Sequence, residues 1–304
     1  ITNDAALALQ GAVTGTLAAT ATTGGITDSS NLSASGDVTL NDAATAGITL
    51  GTLEADANVI ITAAGNTAIT NDAALALQGT VTGTLAATAT TGGITDSSNL
   101  SATGNVTLND VATAGITLDT LEADSNVILT AAGNTAITND AALALQGAVT
   151  GTLDATATTG GITDSSNLSA TGNVTLNDVA TAGITLGTLE ADANVILTAA
   201  GNTAITNDAA LALQGTVTGT LDATATTGDI TDSDALAVSG ASVFTLGADG
   251  TNITLDSAAN AFSGAVTLKA GSSGGQTFGN IVFVDSGAID FDSAASADGD
   301  LFLD

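Results

Sequence analysis

Eleven residues, ITNDAALALQG, occur unchanged at Ile1, Ile69, Ile137 and Ile205. A fixed period therefore governs three full units, 1–68, 69–136 and 137–204, and a degenerate Phe-containing fourth, 205–304. Self-similarity at constant spacing marks architectures in which one supersecondary unit buries its apolar face only by stacking on its copies. The first and third units differ only at Ala18/Asp154, Ser35/Thr171, Asp37/Asn173, Ala43/Val179 and Ile61/Leu197. Such near-identity points to duplication, with copy number free to vary.

Each unit divides again. Ile-Thr recurs at Ile1, Ile26 and Ile48, and in that alignment Leu7, Leu32 and Leu53, then Val13, Val38 and Val59, fall under one another. Leu40 and Ile61 follow their Val by two residues, which is strand alternation. Gly11 and Gly36 mark one corner, and Gly24-Gly25, Gly47 and Gly65 another. One segment, with three short β-runs, then reads as one coil of a parallel β-solenoid whose strands stack about 4.8 Å apart. Ile, Leu, Val and Ala point inward, and a lone coil could not cover them. Coil starts at Ile1, Ile26, Ile48, Ile69, Ile94, Ile116, Ile137, Ile162, Ile184, Ile205, Ile230, Ile253 and Ile281 predict an all-β, right-handed parallel β-helix. It would be a single solenoid over 1–304, of about 13 coils of about 21–28 residues, three coils per unit. The absence of Pro, which cannot donate to a ladder, and the abundance of Thr agree. A string of small sandwich domains is the competing fold, but the unit is short for a sandwich and gives the Ile-led subrepeat no role.

Composition narrows the function. One basic residue, Lys269, faces 31 acids, for a net charge of −30, and His, Cys, Met, Trp, Tyr and Pro are absent. All six Phe (244, 262, 278, 283, 291 and 302) lie in the last quarter. A hydrophobic content of 44% and mean hydropathy of +0.42 oppose disorder. No apolar run reaches the roughly 20 residues of a membrane helix, so no membrane insertion is expected. Nor is nucleic acid a partner, since phosphates require Lys and Arg. Without His or Cys, neither a serine or cysteine triad nor a thiolate or imidazole zinc site can be built. A carboxylate pair of the glycosidase kind remains, but the aromatic and basic residues that line sugar clefts are missing from 1–243. No enzyme and no required cofactor are expected.

Calcium is the one candidate ligand, because carboxylates and Asn oxygens are hard donors. If Ile1 stacks on Ile26, Asn3 lies above Asp28 and Asp4 above Ser29. The resulting corner candidates are Asp4 with Asp28, Asp72 with Asp96, Asp140 with Asp164, and Asp208 with Asp232. The competing reading is plain turn chemistry, which Asn and Asp favour. Thr-x-Thr pairs such as Thr14-Gly15-Thr16 and Thr20-Ala21-Thr22 recur only every third coil, about 14 Å apart, too sparse for an ice-matching lattice. The sequon Asn31-Leu32-Ser33 means little if the source is bacterial.

The runs SGAVTLKAG, ANAFSGAVTL, SNLSATGNVTLND and AGITLGTLEA resemble the β-strand repeats of filamentous-haemagglutinin-like adhesins and related bacterial passenger domains. That resemblance implies a right-handed β-helix, export to the cell surface, and a role in adhesion, biofilm or fibre formation. None of the family's functional residues maps onto this chain. The expectation is a structural extracellular fibre or stalk. Its partner would be itself, end to end or laterally, or the rest of a longer chain. The alternative is an adhesin domain for glycans or receptors.

Overall fold

The computed structural model describes residues 1–270, 279–294 and 301–303, so Phe278 lies outside it. Every element among the described residues is a strand, and each described pairing is parallel. The chain divides into two compact units, Ile1–Gly151 and Thr152–Asp304. Each is a parallel β-solenoid, the fold class that the repeats predict.

The first unit opens with β1 (Thr2–Asn3), β2 (Leu7–Val13), β3 (Leu17–Ala21), β4 (Ile26–Ala34), β5 (Val38–Asp42), β6 (Ile48–Ala55), β7 (Asn58–Ala63) and β8 (Thr67–Asn71). Strands β2, β4, β6 and β8 pair in one sheet. Strands β1, β3, β5 and β7 pair in the other. A coil is therefore two strands and two corners, where the sequence had been read as three β-runs. Paired positions such as Leu7 and Ile26, Ile26 and Ile48, or Thr67 and Leu85 lie 18–22 residues apart. In the second compact unit the coils lengthen beyond Ile230, reaching 28 residues between Ile253 and Ile281.

The strand count corrects the expectation of three coils per repeat. Seven strands, β1 to β7, precede the return of the sequence at β8. Seven is odd, so one 68-residue repeat makes three and a half coils. The same sequence then starts its next copy in the opposite sheet. Leu7–Val13 pairs alongside β4, whereas its copy Leu75–Val81 pairs with β7 and with Ile94–Ala102. Ile69 accordingly stacks on Leu50, and Ile94 on Leu75. The Ile-led alignment missed this because Leu and Thr substitute for Ile at the inward position.

The interior is made of aliphatic columns. Leu17, Val38, Val59 and Leu77 stack in register, as do Ala19, Leu40 and Ile61. Of these, Val38, Leu40, Val59 and Ile61 have no solvent exposure. Each large aliphatic side chain so buried contributes about 1.5–3 kcal/mol before chain entropy is counted. Gly79 continues the Ala19–Leu40–Ile61 column at φ +114°, and a Cβ there would run into the Ile61 carbonyl oxygen. In the longer coils aromatic rings fill the core. Phe262 lies edge-on to Phe244 with centroids 5.9 Å apart, and 4.9 Å from Phe283, which in turn meets Phe291 at 5.5 Å. These spacings are those of favourable aromatic pairs.

Gly11 holds the same left-handed backbone as Gly79 but has nothing within 4 Å of its would-be Cβ. Gly11→Ala is therefore expected to cost only the backbone strain, about 1 kcal/mol. Gly79→Ala adds a clash with main chain and is expected to lower the melting temperature several-fold more, read by circular dichroism on the two variants.

Candidate functional site

The solenoid face is interrupted once per repeat by a ledge. In the ladder of β2 with β4, Leu9 pairs with Asp28 and Gly11 with Leu32, so Gln10 alone faces Ser29, Ser30 and Asn31. Between β4 and β6, residues 28–31 face only Leu50, Gly51 and Thr52. The surplus residues cannot enter the ladder, and Ser29, Ser30 and Asn31 stand out into solvent. Such bulges, with surplus residues on one strand, leave backbone N–H groups without ladder partners.

Asp28 supplies those partners. Its Oδ1 accepts the Gly51 N–H at 3.0 Å, and its Oδ2 accepts the Thr52 N–H at 2.5 Å and the Thr52 hydroxyl at 2.8 Å. Asp96 repeats this with Asp119 and Thr120, and Asp164 with Gly187 and Thr188. Asp232 does so with Asp256, Ser257 and the Asn260 amide. Burial pushes the Asp28 carboxyl up, but the donors from Gly51 and Thr52 outweigh it and hold the group below its ordinary 3.8. The ledge carries further bonds between coils, from Ser29 Oγ to Gln10 Oε1 at 3.1 Å and from Asn31 Nδ2 to Glu54 Oε1 at 2.7 Å.

Asp4, Asp72, Asp140 and Asp208 lie elsewhere, exposed at corners. Asn3 pairs with Ala21 and Asp28 with Leu9, on different sheets, so the expected stacking of Asn3 on Asp28 and of Asp4 on Ser29, which would bring Asp4 and Asp28 to one corner, does not form. The misplacement follows from laying Ile26 on Ile1, when its partner is Leu7. At these corners the backbone does the bonding: the Asp72 carbonyl accepts the Thr90 hydroxyl at 2.9 Å, and the Asp208 carbonyl the Thr227 hydroxyl at 2.7 Å. Among the described residues no group of three or more acids gathers to hold a metal.

Two further sets escaped the sequence reading. Asn71, Asn139 and Asn207 are buried. Asn71 Oδ1 accepts the Ala55 N–H at 2.8 Å, while its Nδ2 donates to the Ala55 carbonyl at 3.1 Å and to that of Ala74 at 2.7 Å. Because β8 is shorter than β6, the amide side chain stands in for the missing stretch of ladder. The same bonds recur at Asn139 and Asn207, and Asn260 Oδ1 serves Leu236 in the longer coils. The other set is Asp42, Asp110 and Asp178, each 1% exposed at a strand end. Nothing in the sequence separates these residues from turn Asn and Asp, since the signal is a difference in length between strands paired one coil apart.

Beside the ledge lies a shallow groove of about 250 Å³ lined by Asn31, Thr52, Thr70, Asp72 and Thr90. It offers hydroxyls, an amide and a carboxylate, without an aromatic platform.

A family model described as Repeats of unknown function (DUF5649) matches residues 1–63, 64–131, 132–200 and 200–269. No curated protein and no solved structure matches the chain.

Asn139→Ala strands the Ala123 N–H and carbonyl inside the core, at about 1–3 kcal/mol for each group. It is expected to destabilise far more than Asn3→Ala, whose side chain makes one exposed bond, to the Ala6 carbonyl, as read by denaturant titration. Asp28→Ala should cost about 2 kcal/mol at neutral pH. The carboxyl lies below its unfolded value, so this contribution is complete above that value and is lost as pH falls through the folded one. Wild type and variant should therefore converge in stability in acid.

Proposed function

We propose that this chain, which belongs to that family of repeats, is a structural segment of a bacterial cell-surface fibre or stalk, without catalysis. The observation that carries the reading is the half-coil offset. Identical units enter the stack in either sheet and meet the same kind of neighbour, so length is set by copy number alone. Ladder bonds between coils, amide side chains that complete them, and a continuous aliphatic interior supply stiffness without any specific partner. A net charge of −30 keeps such an element soluble and repels its own kind laterally unless salt or divalent ions screen it. Kinship with filamentous-haemagglutinin-like adhesins and an extracellular location belong to this proposal. So does assembly with itself or with the rest of a longer chain.

The groove beside the ledge favours a second reading, an adhesin surface for glycans. Its lining includes threonine hydroxyls, an amide and a carboxylate, but at about 250 Å³ it is smaller than the usual 300–1,000 Å³ of ligand pockets.

Electron cryo-microscopy of native material is expected to show a continuous filament with an axial rise near 4.8 Å per coil. Bead-like domains, or compact monomers of the chain's own length, would remove the fibre reading. Binding to arrayed glycans that Thr52→Ala and Thr70→Ala abolish would replace it with the second.

A further inference from the structure

Asp42, Asp110 and Asp178 are the acids that the bonding described so far leaves unexplained. Each ends a strand, points inward and is 1% exposed. Asp42 occupies a column otherwise made of Ala21, Ala63 and Val81. One carboxylate oxygen is satisfied: Gly47, Gly115 and Gly183 N–H groups donate to Oδ2 at 2.7, 2.9 and 2.9 Å. The other, Oδ1, is buried with no partner in all three. In the same three corners, one coil on, the inward hydroxyls of Thr67, Thr135 and Thr203 are also buried and unpartnered. Each repeat thus carries an orphan carboxylate oxygen and an orphan hydroxyl at the same turn of the chain.

No countercharge relieves the acid. Against Asp110 pack Ala89 and Ala131 from the flanking strands, the corners Val111–Gly115 and Ala132–Asn134, and the strand starts Ile116 and Thr135. None of these titrates. Asp42 and Asp178 have the equivalent neighbours, with Ala43 in place of Val111 at the first corner. Lys269, the chain's one basic residue, lies far along the sequence. A buried ionised carboxylate without a paired charge is among the costliest groups in a protein interior. A proton on Oδ1 removes the charge.

We propose that Asp110 is a proton-binding site of the folded solenoid, so that folding takes up a proton at this corner and mild acid strengthens the stack. Burial, opposed by the N–H groups of Gly115 and Gly133, pushes the Asp110 carboxyl up. A carboxyl raised on folding stabilises fully below its unfolded pKa, and that contribution fades as pH rises through the folded value. The ledge acids act in the opposite sense at the acid end, so wild type alone would show an optimum.

The test compares wild type with Asp110→Asn, melted in chelator from neutrality down to about pH 4. Wild type should gain melting temperature relative to the variant as pH falls. The infrared band of protonated carboxyl groups, present in wild type at mildly acidic pH, should weaken in the variant. Should Asp110→Asn not fold, Asp110→Ser and the wild-type infrared titration give the same readouts. A temperature difference independent of pH, or no such band, would overturn the proposal. So would a rise in wild-type melting temperature with added sodium or calcium at neutral pH that the variant lacks, because a cation would then hold the corner.

Discussion

Everything in this chain follows from the main-chain ladder that joins each coil to the next. A parallel strand buried between two neighbours must give both of them N–H and carbonyl groups, and any shortfall inside the core costs about as much as several good contacts contribute. Where strand lengths match, the backbone meets this demand alone. Where they do not, a side chain is conscripted: Asn71 completes β6, Asp28 completes the turn at Gly51 and Thr52, and Asp285 accepts the Phe262 N–H at 3.0 Å in the longer coils. Gly79 shows the other face of the same demand, a site where the neighbouring carbonyl leaves no room for a side chain. The lack of Pro needs no separate account.

The fold class was legible because inward positions are read by chemistry alone. Leu7, Ile26 and Ile48 are not all one residue type yet all serve one apolar column, and their spacing betrays a coil. The phase of the coil was not legible for the same reason. An alignment led by Ile cannot see that Leu7, not Ile1, lies beneath Ile26, and it therefore sets Asn3 over Asp28 and Asp4 over Ser29. The roles of the polar residues depend on that phase. Asn71 sits in the phrase TAITND and reads as a turn former, but two of its three bonds are made to Ala55, a residue on the preceding coil. Asp42 is written in the same alphabet as Asp37, yet one is inside and the other at a corner.

The acid content meets the ladder in a regular way. Where short repeats stack one coil on an identical coil, like charges would face each other along the whole array, which is unfavourable. Here Glu54 lies over Ser33, Glu122 over Ser101 and Asp154 beside Thr175. No two acids are partners in the described registers. A repeat longer than its coil separates equal residues, so the chain carries its charge without setting carboxylates edge to edge.

The odd strand count also gives the array a parity. Loss of a single 68-residue copy would leave every later residue in an equally well-packed coil but transfer it to the other sheet, so ledges beyond the deletion would exchange sides. Loss of two copies would restore them. Recombination between near-identical repeats would then do more than shorten such a protein. It would toggle which surface the downstream chain displays, while the core registers no difference.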